Sequence, residues 1–272
     1  MTIKTKLFTP YSISAVLLIG FFALFARASN IPEERIIVVG KKPTYLSNHD
    51  GILPVTVIDG LGVGHSNTMA DMLNAAPEVN YSGQGGLLQT ISIRGLSRWR
   101  IQTLVEGVPI HSERRAGNAA EFIAPNLVAN AYVLSGAAST QLGSGALGGG
   151  IDLRLAATSD TSLNVSYGSA QDYRSLQVLG GKEEGNGGVY WGANFRHANH
   201  GADSLNQTLF NGFEQSVGWF RYLSDQNIKD ALVIVSKANN VGKASSDLPE
   251  QRQTLYPDND HWLAKLDFEW MN

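Results

Sequence analysis

The sequence predicts a mainly β protein: a compact α+β domain followed by the first antiparallel strands of an incomplete transmembrane β-barrel. Three observations carry this expectation. The N-terminus has the order of an export leader, short strands and helices alternate up to about residue 157, and beyond that the chain repeats apolar–polar alternation strand after strand.

The leader fixes the compartment. Lys4 and Lys6 make a basic start, Tyr11 to Phe25 is apolar apart from Ser12, Ser14 and Gly20, and Ala26-Arg27-Ala28 places small residues at an A-x-A cleavage site. The apolar run is shorter than the ~20 residues of a membrane-spanning helix. Residues 1–28 therefore read as a signal peptide cleaved after Ala28, in preference to a transmembrane helix. The sequence has 17% charged and 43% hydrophobic residues, and 29 glycines, which suit turns and closely packed strands more than long helices. It has no cysteine, which excludes disulfides and thiolate metal sites. A net charge of −3 argues against a nucleic-acid partner.

After the leader, residues 29–53 hold a β-branched run, Ile36-Ile37-Val38-Val39, closed by Gly40 and Pro43. It reads either as a minor edge strand or as a strand offered to a partner by β-augmentation. From residue 54 to 157 the expected strands are Val55–Ile58, Ile91–Gly95, Ile101–Val105, Ala131–Leu134 and Ile151–Leu155. A helix carrying Met69, Met72 and Leu73 is expected with Ser66 or Asn67 as its cap, and single helical turns flank Pro125. From 158 to 272 about six strands are expected: Ser162–Tyr167, Tyr173–Gly180, Val189–His197, Phe213–Leu223, Ala231–Lys237 and His261–Trp270. In the last, Trp262, Ala264, Leu266, Phe268 and Trp270 share one face, and Lys265, Asp267 and Glu269 share the other. Most approach the ~9–11 residues of a transmembrane β-strand. Short connections (181–188, 224–230) alternate with long ones (198–212, 238–260), which suits an outer-membrane barrel better than the rival reading, a soluble β-sandwich.

Two stretches carry a family resemblance. ISIRGLSRWRIQTLVEGVPI, from Ile91 to Ile110, and AYVLSGAASTQLGSGALGGGIDLRL, from Ala131 to Leu155, resemble the paired core motifs of TonB-dependent receptor plug domains. The departures are Glu106 for the usual Asp, Ser135 for Arg, Ala137 for Pro, and Gly150 for a β-branched residue. The resemblance implies that residues 54–157 form the plug of an outer-membrane receptor. It puts Ile36–Val39 where such receptors keep the segment that pairs with a TonB-like energy-coupling protein. It also implies uptake of a large, scarce chelate of the ferric siderophore, haem or cobalamin type, held at the plug apex by Arg98, Trp99, Arg100, His111, Arg114, Arg115 and Asn118. Arginine forks and an indole suit an anionic or aromatic ligand; the alternative for these residues is a solvated polar loop. Gly95, Gly107, Gly136, Gly143, Gly145, Gly148 and Gly149 are expected to let the plug backbone bend and pack closely. Arg94, Glu106 and Arg154 are charges among apolar strand residues and need partners, which a polar wall face around Lys265 could supply.

Three other readings are weaker. Gly143 to Gly148 spells G-x-G-x-x-G but leads into a strand, so no helix N-terminus awaits a pyrophosphate. His197 and His200 stand without an adjacent carboxylate, so no metal is expected, and no cofactor or catalytic constellation is evident. A wall of about six strands cannot enclose a plug, since plugged transporters have ~22. The chain is thus expected to be part of a larger barrel, and the rival is a periplasmic plug-like binding or signalling module with a vestigial β tail.

Overall fold

The structure is a computed structural model that describes residues 55–62, 66–83, 85–110, 120–243 and 254–269. The leader, the segment 29–53 with Ile36–Val39, and His111, Arg114, Arg115 and Asn118 lie outside the described residues.

Two sheets build the α+β domain, the expected plug. The smaller joins β2 (Val79–Ser82), β3 (Thr90–Ile93) and β4 (Leu96–Ser97), after β1 (Val55–Asp59) and α1 (Met69–Leu73). The larger has five strands in the order β1, β7 (Val128–Ser135), β8 (Gly149–Leu155), β5 (Ile101–Val105) and β6 (Val108–Pro109). β5 and β8 are parallel and the other pairs antiparallel. β5 is buried along its whole length, so its sequence is a continuous run rather than an alternation. The core gathers Ile58, Met72, Ile93, Val105, Leu127, Val133, Ile151 and Leu153.

Two local expectations are corrected. The cap of α1 is Thr68, not Ser66 or Asn67: its Oγ1 accepts from Asp71 N at 3.2 Å, and Asp71 Oδ2 accepts from Thr68 N at 3.0 Å. This reciprocal box satisfies two otherwise orphaned donors, and it needs an acid three residues on, which only Thr68 has here. β3 stops at Ile93 instead of reaching Gly95, because Arg94 and Gly95 turn with φ of 48° and 80°.

The chain then becomes a meander. β9 (Ser162–Gly168), β10 (Tyr173–Glu184), β11 (Gly187–Ala198), β14 (Phe213–Leu223), β15 (Ile228–Lys243) and β16 (Thr254–Phe268) form one six-stranded antiparallel sheet. Its outer face is apolar, and its inner face mixes polar residues with apolar ones such as Trp219 and Ile234 that join the core. Trp262 is 79% exposed, with Val165, Phe195, Phe220, Val235 and Leu266 on the same outer side, while Asn194 at 0% and Arg196 at 3% are buried on the inner side with Gln177 and Gln215. An apolar outer face with Asn, Gln and Arg buried on the inner one is the pattern of a barrel wall in lipid, whereas a sandwich would turn its polar face to water. The strand count and the faces of β16 up to Phe268 match the sequence reading, Trp270 lying outside the described residues, with two exceptions: Asp267 and Glu269 are exposed, and Glu269 pairs with Lys229 at 3.0 Å.

The connections also differ in part. Residues 198–212 carry their own hairpin, β12 (Gly201–Ala202) with β13 (Thr208–Leu209). Most of 238–260 is strand, since polar residues such as Asn239 and Asn259 continue the ladder between β15 and β16. The turns after β10 and β14 are short, and they share the wall end near the start of β9, where the chain leaves the plug.

Gly149 opens β8 at φ 136°, and a Cβ there would meet Leu134 O at 2.1 Å. Gly143 is also strained for an L-residue, at φ 83° and ψ −164°, but a Cβ there meets nothing within 4 Å. Gly143→Ala is expected to cost ~1–3 kcal/mol, the backbone strain alone. Gly149→Ala should cost clearly more, because a backbone carbonyl must also move. Urea titration of both variants checks this; equal losses would contradict the close approach.

Candidate functional site

The functional geometry lies where the plug meets the wall, at three heights. At the end with the short turns, Glu106 and Gly107 form the turn between β5 and β6, with φ of 52° and 78°. The Glu106 side chain is 1% exposed. Its Oε1 accepts from Leu155 N at 2.7 Å, and its Oε2 pairs with Arg154 at 3.3 Å and with Arg221 of β14 at 3.0 Å. Arg154 also pairs with Asp152, and Asp152 Oδ1 accepts from Gly107 N at 3.1 Å. Across the wall, Arg221 donates through Nε and Nη2 to the two oxygens of Asp230 at 2.9 and 2.8 Å, and Lys265 Nζ reaches Asp230 Oδ2 at 2.8 Å. Alternating acids and bases thus run from β8 through the Glu106 turn to β16. A bidentate guanidinium–carboxylate pair with neighbours on both sides is among the stronger ionic contacts.

At mid-height the wall reaches in. Arg196 of β11 donates from Nε to Gln215 Oε1 at 2.6 Å and from Nη1 to the backbone oxygen of Asn67 at 2.8 Å, and its guanidinium lies 5.3 Å from the Phe213 ring centroid. Gln215 Nε2 donates to Glu121 O at 2.9 Å. Phe122 stacks on His261 with ring centroids 5.3 Å apart. Burial pushes the Glu121 carboxyl from its ordinary 4.5 up to about 8; Arg196 pulls it down and Asp71 pushes it up, each less than desolvation does.

At the far end the plug tip meets the 198–212 connection. Asn211 is buried, and its Oδ1 accepts from Gln171 Nε2 at 2.7 Å and Gly201 N at 2.9 Å. The plug backbone comes so near that a Cβ on Gly86 would meet Asn211 O at 2.5 Å. Gln89 ties this tip to the α1 cap through Nε2 to Thr68 Oγ1 at 3.1 Å.

The sequence-expected residues divide accordingly. Glu106, Arg154 and Lys265 come together as one cluster, completed by Arg221 and Asp230, which the sequence reading did not single out. Arg94 is corrected: it is exposed on its turn, so it is not a buried charge awaiting a partner. Arg98, Trp99 and Arg100 form an exposed 3-10 turn after β4, next to the Gly145–Gly148 bend, where Gly148 N donates to Arg100 O at 2.8 Å. Gly136 N closes the same bend onto Gly148 O at 3.2 Å. The plug segment packed against the long connection is instead Gly85–Gly86, which has no family signature in the sequence. Among the described residues no cluster of three or more His, Cys, Asp or Glu could hold a metal.

A family model described as the TonB-dependent receptor plug domain matches residues 53–150. Among solved structures, a variant of the ferric enterobactin receptor PfeA from Pseudomonas aeruginosa is similar with a TM-score of 0.58 at 16% identity, over 84% of this chain and 40% of that one. The copper transporter OprC gives 0.56 at 16% identity, over 70% and 30%, and the FrpB iron transporter from Neisseria meningitidis 0.55 at 16%, over 68% and 31%. At such identity these likenesses bear on the fold alone. The chain spans only 30–40% of the length of these proteins. No curated protein sequence matches the chain.

Two outcomes are expected from this geometry. Arg221→Ala leaves Glu106 and Asp230 buried without it and should loosen the plug by ~3–5 kcal/mol, measured as the urea dependence of protease protection of the plug in membranes; a change below ~1 kcal/mol, the usual worth of an exposed pair, would contradict the buried cluster. Glu121 has a raised pKa in the folded state. Its contribution is therefore fully present below about 4.5 and is lost as pH rises through about 8. Glu121→Gln should remove that loss, giving a variant more stable than the parent at pH 9 and little changed at pH 5. A parent whose stability is flat across this window would contradict the assignment.

Proposed function

We propose that the chain is a TonB-dependent receptor plug domain followed by strands of an outer-membrane receptor wall, and that it serves the active uptake of a large, scarce ligand of the ferric siderophore, haem or cobalamin type. The observation that carries the reading is the join itself: a plug motif fixed by buried ion pairs to the inner face of a sheet whose outer face is apolar. That outer face also speaks against a periplasmic module with a vestigial tail, because such a tail would leave Trp262 and Leu266 in water. The family is one of receptors and transporters rather than enzymes.

In this proposal the domain order is leader (1–28), coupling segment (29–53), plug (54–157) and the first wall strands (158–272). Residues 1–272 do not transport alone, because a sheet of six strands leaves backbone groups unpaired at both edges, at several kcal/mol each in lipid. Further strands close the wall. Ile36–Val39 pairs with a TonB-like partner through backbone hydrogen bonds. Arg98, Trp99, Arg100, His111, Arg114, Arg115 and Asn118 face the ligand, and outer-membrane lipid covers the apolar side of the wall.

Val38→Pro in the complete receptor should remove a backbone donor and fix φ, abolishing energised uptake while leaving ligand binding intact. Normal uptake by this variant would remove Ile36–Val39 from the coupling role. Replacing Arg114 and Arg115 together by Ala should weaken an anionic chelate by ~1.5–3 kcal/mol for each charged hydrogen bond lost. Binding assays with ferric siderophore, haem and cobalamin separate the ligand classes, and unchanged affinity in the arginine variant returns those residues to a solvated loop.

A further inference from the structure

The seam between plug and wall changes chemistry around the sheet. Against β14, β15 and β16 it carries an ion pair and a ring stack, Glu106 on Arg221 at 3.0 Å and Phe122 on His261. Against β9 and β10 it opens into a cavity of about 130 Å³, lined from the plug by Ser66, Asn67 and Asn126 and from the wall by Asn164, Ser175 and Gln177. None of its lining residues is charged. The volume holds several waters. Among the described residues its contacts to β10 are neutral, Asn126 Nδ2 reaching Ser175 Oγ only at 3.5 Å and Gln177 Nε2 donating to Asn126 O at 2.5 Å, and the one charged link at its rim comes from β11, where Arg196 donates to Asn67 O at 2.8 Å. Asn126 Oδ1 is buried and has no donor among the described residues. A buried acceptor in that position calls for a donor from a bound molecule.

We propose that this cavity is a binding site for water and small uncharged hydrogen-bonding solutes, and that the plug parts from the wall first along β9 and β10 while the ion-paired contact at β14–β16 stays closed. Charge-assisted hydrogen bonds are roughly twice as strong as neutral ones, so local opening follows the neutral side. The ion pairs then act as the fixed edge about which the plug loosens. The inference rests on the reading of a plug held inside its wall.

The sequence has no cysteine, so single-cysteine variants report unambiguously. Ser175→Cys and Ser236→Cys place one thiol on each side of the wall's inner face, and both serines are buried. Each is reacted with N-ethylmaleimide, an uncharged reagent, in the complete receptor in resting membranes. Ser175→Cys is expected to react at least about tenfold faster, the ratio that one charge-assisted bond against a neutral one gives. Equal rates, or faster reaction at Ser236→Cys, overturn the proposal. Gln177→Cys and Val217→Cys, also both buried, repeat the comparison and decide it if a serine variant fails to assemble. The labelling needs no energy source, so its outcome is separate from uptake. Even labelling beside normal energised uptake overturns this inference alone. A tenfold difference without uptake of any tested chelate supports it and overturns the transport reading instead.

Discussion

A carboxylate with 1% of its side chain exposed has to be surrounded by donors and cations, and Glu106 is in that position. The requirement reaches through both halves of the structure. Inside the plug it holds the β5–β6 turn against β8, which supplies Arg154 and the backbone donor of Leu155. Outside the plug it requires Arg221 to point inward. Because strand side chains alternate with a period of two, an inward Arg221 places Trp219 and Val217 inward and Phe220 outward on β14. The ladder then sets Asp230 on β15 and Lys265 on β16 to the same side, and Val233 and Leu266 to the exposed outer side. A slip of one residue in any of these strands would break the ionic cluster and turn its polar side chains to the apolar outer face together.

The other contacts use weaker chemistry and sit farther along the wall. Arg196 grips a backbone carbonyl at the start of the plug's helical segment, with a protonatable Glu121 beside it. Asn211 meets the plug tip by close backbone approach and no charge at all. The plug is therefore bound most firmly near the short turns and least firmly near the long connections. The firm end is the one nearest the start of the wall.

Much of the wall was legible because its signal is local. The alternation in Val189–His197 and His261–Trp270 needs only neighbouring residues, and the boundaries of Phe213–Leu223 agree to the residue. Strand ends at the long connections were missed because Asn239 and Asn259 look like loop residues until a partner strand pairs them. The cluster was half legible: Glu106 and Arg154 stand out among apolar residues, and Lys265 lies on a polar face. Arg221 and Asp230 looked like ordinary strand and turn polarity, since their meaning comes from a plug residue more than a hundred positions away in the chain. Thr68 was passed over for nearer-looking caps, although the Asp71 that completes its box is visible in the sequence. Nothing in Gly85-Gly86 or Asn211 announces a contact, because close backbone approach leaves no periodic trace.

The central claim is that one face of the six-stranded sheet lies in lipid while the other holds the plug. It is tested most directly by tryptophan quenching in membranes of brominated lipid, using complete receptors that keep a single tryptophan with the others replaced by phenylalanine. Trp262 is 79% exposed on the outer face and Trp219 is 4% exposed on the inner one. The account predicts strong quenching of Trp262 and none of Trp219. Quenching of Trp219 equal to that of Trp262, or an unquenched Trp262, would contradict it.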